Sequence, residues 1–337
     1  DVYKRQGPNC MGVYFPSKAL TFDTRFPKES GSIAFFSQTG VGGRRFINLA
    51  AGRGLRFRVA VSYGNGIDLS ISDFFEYAYN DPETGMIFLY LEGLTEGQRF
   101  SQLLKACNKL KPVVILKAGL SESGAGAVSS HTASLCGSKR VWEALFKQTG
   151  AISVVSLEEA VDVLVSLQRI PFISGRKIGL VGRGGGIGVI SADMCENEGL
   201  KVPQLTAGTR VKLERIAASA AGSSIRNPVE IGLGVSGVSE HYLEGLEIVA
   251  SDPAVDFIIT FINPEDYIHY GIRGWMDDLR RTFRDAKKKI SKPFCVVILQ
   301  GPSIDIFKLT LELQQKCQEE SIACFASMGS AIKAVSK

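Results

Sequence analysis

Ser32-Ile33-Ala34-Phe35-Phe36-Ser37-Gln38-Thr39-Gly40 is an apolar run that ends in a hydroxyl- and glycine-rich turn. Lys177-Ile178-Gly179-Leu180-Val181-Gly182-Arg183-Gly184-Gly185 repeats that pattern in the second half of the chain. A continuous apolar run, rather than an alternating one, predicts a strand buried on both faces, as in a parallel sheet covered by helices. Further strand candidates follow at Arg58–Tyr63, Met86–Leu91 and Val113–Lys117. Helix-like segments near Arg44–Gly54, Leu69–Tyr79 and Glu96–Lys109 separate them, and Lys139–Gln148 and Leu157–Gln168 come after. After Ile170–Gly175, which reads as a linker, strands near Ile178–Val181, Phe257–Ile262 and Phe294–Leu299 alternate with helices near Ile187–Gly199, Val238–Ala250, Trp275–Lys289 and Ile304–Glu320.

The two halves also share their punctuation. Asp81-Pro82 precedes the strand ending at Glu92 and Asp252-Pro253 the strand ending at Asn263, while Lys111-Pro112 and Lys292-Pro293 each open the next strand. The shared order predicts an α/β protein of two flavodoxin-like, doubly wound parallel-sheet units. The halves differ after the Lys111-Pro112 strand. There the first inserts a small-residue loop, Gly119 to Gly137, and the second turns straight into a helix after Gly301-Pro302. The repeat is scaffold, and the insertion is the candidate site.

Composition narrows the classes. With 45% hydrophobic and 22% charged residues in 337, the chain has the balance of a soluble globular protein with room for two cores. No apolar run reaches the roughly 18 residues a bilayer crossing needs. A net charge of +5 is mild and diffuse, which suits anionic small molecules and argues against nucleic acid. The densest basic stretch, Arg280 to Lys292, reads as the solvated face of a helix. Seven cysteines without a C-x-x-C pair or Cys/His ligand spacing suggest a reducing, cytoplasmic setting and no metal site.

In doubly wound sheets ligands gather outside the carboxyl ends of the strands, and three features fall there. The turn Ser37-Gln38-Thr39-Gly40 reads either as a phosphate-binding helix start or as an ordinary βα turn. Glu92 closes an apolar strand, where a carboxylate can hold one imidazole nitrogen protonated and free the other as a nucleophile; it can equally be an exposed strand end. His131 lies in the inserted Gly/Ala/Ser-rich segment, as a nucleophile or a surface residue, whereas His241 and His269 accompany helical patterns and read as solvent-exposed. The run Gly182–Gly188 invites a dinucleotide reading, but Pro203, Gln204 and Leu205 stand where an acidic residue is expected.

Together these residues resemble the NDP-forming acyl-CoA synthetases, the superfamily of succinyl-CoA synthetase and the ADP-forming acetyl-CoA synthetases. Ser37-Gln38-Thr39-Gly40 resembles the helix start that cradles a phosphorylated histidine, Leu91-Glu92-Gly93 the glutamate that holds it, and Ser130-His131-Thr132 through Gly137-Ser138 the phosphohistidine loop. Ala133 departs from the glycine usual after the His-Thr pair. Gly184-Gly185-Gly186 and Asn227-Pro228-Val229-Glu230 resemble the companion ligase domain, and Gly7-Pro8-Asn9-Cys10-Met11-Gly12 the end of a CoA-binding domain, with Pro8 and Asn9 at the CoA edge.

The resemblance implies acid–thiol ligation, with ATP, CoA and a carboxylate giving acyl-CoA, ADP and phosphate through phosphohistidine and acyl phosphate. It also implies an ATP-grasp partner, fused or separate, carrying Mg2+, and hence a hetero-oligomer. The competing expectation is a non-catalytic acyl-CoA-sensing or regulatory subunit, against which the retention of both His131 and Glu92 argues. The organisation expected is Asp1–Gln6 as a sequencing or assembly scar, because it matches an in-frame translation of a sequencing-transposon end. Residues 7–28 are expected to be the tail of the CoA-binding domain, 29–170 the phosphohistidine-bearing ligase domain and 175–337 the second ligase domain, with truncation upstream.

Overall fold

The structure is a computed structural model that describes residues 10–132, 137–217, 224–231, 239–269, 271, 274–301 and 303–337, apart from the side chains at 129–132, 217 and 239–240. The chain divides into two compact units at Leu164/Val165.

The first unit carries strands β1 (Gly12–Tyr14), β2 (Ile33–Ser37), β3 (Phe57–Ser62), β4 (Met86–Leu91), β5 (Val113–Lys117) and β6 (Ile152–Val154). Helices α1 (Gly40–Gly52), α2 (Ile71–Asn80), α3 (Gly97–Cys107), α4 (Glu122–Thr132) and α5 (Lys139–Thr149) belong to it, and α6 (Leu157–Arg169) runs across the division. The sheet order is β1-β3-β2-β4-β5-β6, parallel except for β1, which pairs antiparallel to β3.

Every residue of β2 is buried, and its neighbouring phenylalanines feed opposite faces. Phe35 stacks on Phe88 at 5.1 Å and packs against Phe46 of α1, while Phe36 stacks on Phe74 of α2 at 5.7 Å. Burial on both faces is what the unbroken apolar run predicts.

The second unit holds β7 (Ile178–Gly182), β8 (Val229–Glu230), β9 (Phe257–Ile262), β10 (Phe294–Ile298) and β11 (Cys324–Phe325). Its helices are α7 (Gly185–Asn197), α8 (Ala207–Ala217), α9 (Ser239–Ala250), α10 (Pro264–His269), α11 (Trp275–Lys289), α12 (Ile304–Glu319) and α13 (Met328–Ser336). Its order, β11-β10-β9-β7-β8, reproduces β6-β5-β4-β2-β3 of the first unit. The repeat seen in the sequence is therefore a repeat of topology. The strands that periodicity does not reveal, β1, β6, β8 and β11, are two or three residues long, too short for a pattern to register. The basic stretch lies along α11, whose opposite side buries Trp275, Leu279, Phe283 and Ala286.

One expectation is corrected. The segment Gly119–Gly137 is not a long loop, because α4 occupies Glu122–Thr132. Ser121 starts it: its hydroxyl accepts from the Gly124 N–H at 3.1 Å and its carbonyl from the Ala125 N–H. A serine cap, an acidic first turn and two alanines outweigh the two glycines that read as flexibility.

Candidate active site

The carboxyl ends of β2 and β4 bring together the Ser37–Gly40 turn and Glu92, and the Gly119–Gly137 segment leaves from the end of β5. The turn after β2 is built from its own side chains. Ser37 Oγ accepts from the Thr39 N–H at 3.1 Å and donates to the Thr39 carbonyl at 2.8 Å. Thr39 is the N-cap of α1, its hydroxyl accepting from the Gly42 N–H at 3.3 Å. The two hydroxyls thus shape the turn instead of standing free for an anion. The first-turn amides of Gly40 and Val41 have no acceptor within the helix.

Gln38 faces away from that turn. Its Oε1 accepts from the backbone N–H groups of Glu92 and, at 3.1 Å, Gly93, so it ties the end of β2 to the end of β4. Lys117, 5% exposed at the end of β5, secures the same point from the other side. Its Nζ donates to the Glu92 carbonyl at 2.7 Å and to the Ala118 carbonyl, and lies 5.3 Å from the centre of the Trp142 ring. Glu92 is thereby held on three neighbouring strands. It is 8% exposed and its Oε2 is buried without a hydrogen-bond partner.

Two tyrosines respond to this carboxylate. Tyr90 is pushed up to about 12 by burial, by the Glu92 charge and by its hydrogen bond to the carboxylate. Tyr63, directly after β3, is raised well above the usual phenol range by burial and then by the Glu92 charge. The roles of Tyr63, Lys117 and Gln38 toward Glu92 are absent from the sequence reading. Only the ending of β5 on a lysine inside an apolar run signals Lys117.

His131 falls in the last turn of α4; its side chain lies outside the described residues, as do Pro8 and Asn9. His241 and His269 are exposed. Among the described residues no group of three His, Cys, Asp or Glu side chains could hold a metal ion, and no helix is long and apolar enough to cross a membrane.

The glycine turn of the second unit is shaped by packing and capping. Gly184, at φ +102°, is the N-cap of α7, a backbone conformation L side chains rarely adopt. Its N–H donates to Glu230 Oε1 at 3.0 Å, and a Cβ at Gly185 would stand 3.2 Å from Glu230 Oε2. Gly186 has open space around it. Asn227, joined to Pro228 by a cis peptide bond, donates to the Ile178 and Pro203 carbonyls and accepts from the Leu180 N–H, occupying the edge of β7. Gly184, Gly185, Arg226, Pro228 and Glu230 line a cleft of about 180 Å³ there.

Comparison with known proteins gives this geometry a context. Residues 30–167 match the family described as the succinyl-CoA ligase like flavodoxin domain. The chain resembles the α subunit or domain of ADP-forming acyl-CoA ligases. It is 36% identical over 263 residues to acetate–CoA ligase [ADP-forming] I of Archaeoglobus fulgidus, covering 77% of this chain and 37% of that protein. It is 34% identical over 254 residues to acetate–CoA ligase [ADP-forming] II subunit alpha of Pyrococcus furiosus, covering 75% of this chain and 54% of that subunit. Among solved structures it is similar to the acetyl-coenzyme A synthetase 1 of Ca. Korarchaeum cryptofilum in complex with phosphate and ADP, with a TM-score of 0.82 and 28% identity over 98% of this chain and 69% of the other. The chain thus spans about a third to a half of the length of these curated relatives.

Proposed function

We propose that this chain is the phosphohistidine-bearing part of an ADP-forming acyl-CoA synthetase, with His131 as the phosphoryl carrier. The observation that carries the reading is Glu92: a carboxylate buried at the carboxyl ends of the strands, tied by Gln38 and Lys117, with one oxygen unengaged. Such a carboxylate takes the N–H of an imidazole and leaves the other ring nitrogen as the nucleophile. The imidazole attacks the terminal phosphorus of ATP, and ADP leaves. A carboxylate oxygen then attacks the phosphohistidine phosphorus to give an acyl phosphate and restore the imidazole. The thiolate of CoA attacks the acyl carbon and inorganic phosphate departs, every step being reversible. The Gly40 and Val41 amides at the start of α1 stabilise the transferred phosphoryl charge. The second-unit turn at Gly184, Gly185 and Gly186 also starts a helix, but its Gly184 N–H is taken by the Glu230 carboxylate.

ATP is supplied by an ATP-grasp subunit or domain with its Mg2+, in a hetero-oligomer. The names of the relatives, one of them an α subunit, and the ADP and phosphate of the neighbouring structure support this arrangement. The free cysteines support a cytoplasmic setting. The test supplies the natural full-length protein with its ATP-grasp partner and ATP labelled at the terminal phosphate. Acid-labile label is expected on the chain and lost in His131→Ala. Absence of label, or label that persists in the variant, overturns the reading.

A further inference from the structure

The hydroxyl of Tyr63 has no place in the scheme above. The residue is 9% exposed, its backbone N–H donates to the Ser37 carbonyl at 3.0 Å, and its ring lies 5.3 Å from Phe74 of α2. It therefore stands beside the turn at the end of β2, not deep in the sheet. Its hydroxyl oxygen is buried without a hydrogen-bond partner, and so is Oε2 of Glu92. The first is a donor and the second an acceptor. Each bears the penalty of an unmade bond in an apolar surround. The other donors at this point are committed elsewhere: the Lys117 ammonium to the Glu92 and Ala118 carbonyls, and the Tyr90 phenol to the carboxylate already.

We propose that Tyr63 is a positioning residue, its phenol donating to Glu92 Oε2 when the site engages the imidazole, so that the carboxylate cannot rotate away from it. This rests on the phosphohistidine reading. A carboxylate orients an imidazole only while its own rotation is stopped; a phenol on Oε2 stops it and leaves that oxygen a second lone pair for the imidazole N–H. Bonds of this kind are often long in the free enzyme and close in the complex. Burial and the Glu92 charge both hold the phenol protonated, so Tyr63 acts as a donor and never as a base.

The test measures formation of acid-labile phosphate in the full-length protein with its ATP-grasp partner, for wild type, Tyr63→Phe, Glu92→Gln and the double variant. Tyr63→Phe is expected to slow phosphorylation roughly ten- to a hundredfold, the range of a hydrogen bond to a charged group. It is expected to add nothing in the Glu92→Gln background, because the phenol acts only through that carboxylate. Its melting temperature is expected at or above that of the wild type, since the change removes a buried hydroxyl without a partner. Wild-type phosphorylation in Tyr63→Phe, losses that multiply in the double variant, or a melting point well below wild type each overturn the proposal. A wild-type label that vanishes in His131→Ala beside an unaffected Tyr63→Phe sinks the role of Tyr63 alone. A label that never forms, or that survives in His131→Ala, sinks the phosphohistidine reading and this inference with it.

Discussion

Gln38 shows how a residue inside a recognisable motif can act elsewhere. It belongs to the Ser37–Gly40 turn, yet its side chain accepts the N–H groups of Glu92 and Gly93, both buried. Removing the amide leaves two buried donors without an acceptor, at about 1–3 kcal/mol for each such group. Gln38→Ala is therefore expected to lower the unfolding free energy in urea by about 1–3 kcal/mol, part of the loss being relieved by local shifts. It should also slow phosphorylation of His131 by releasing the end of β4. A variant as stable as the wild type would show that solvent replaces the amide.

At the scale of elements, the repeated Asp-Pro and Lys-Pro pairs are structural. Lys111 sends its ammonium to the carbonyls of Ala78, Tyr79 and Asp81, closing the C-terminus of α2, and Lys292 donates to the Asp252 carbonyl just beyond α9. The carboxylate of Asp81 binds Arg58 of β3 at 3.0 Å and the Thr84 hydroxyl at 2.7 Å. Burial works to raise its pKa, but Arg58, Thr84 and the Glu83 N–H outweigh it and hold the group below the ordinary 3.8. As pH falls, the unfolded chain takes up this proton before the folded one, so unfolding gains protons and stability drops. The contribution of Asp81 is present above pH 3.8 and lost as pH passes through its lower folded value. Urea midpoints are expected to fall through this acid range in the wild type and to fall less steeply in Asp81→Asn. Equal slopes would assign the acid sensitivity to other carboxylates.

On the scale of the whole molecule, two sheets of the same strand order carry separate cores. One gathers Phe36, Phe75, Leu89, Phe100 and Ile115, and the other Leu246, Ile258, Phe283, Val296 and Leu313. Phe88, fully buried between Phe35 and Phe46, belongs wholly to the first unit. Phe88→Ala is expected to destabilise that unit by about 3–5 kcal/mol. Hydrogen exchange should then speed in β2 and β4 while β9 and β10 keep their protection. Loss of protection in both sheets would mean that the units unfold as one.

Most of this architecture was legible in the amino-acid order, because strands buried on both faces leave unbroken apolar runs and amphipathic helices leave a period. By itself the sequence determined the α/β class, the doubled unit, the candidate carrier His131 and the candidate orienting carboxylate Glu92. Tertiary structure alone decided that α4 replaces the loop, since a serine cap, an acidic first turn and alanines compete locally with glycines and the residue pattern leaves that balance open. It alone decided that Gln38 and Lys117 converge on Glu92, and that Tyr63 stands by with an unspent hydroxyl. Those residues are 25 to 54 positions from Glu92 in sequence, and only the register of neighbouring parallel strands brings them together.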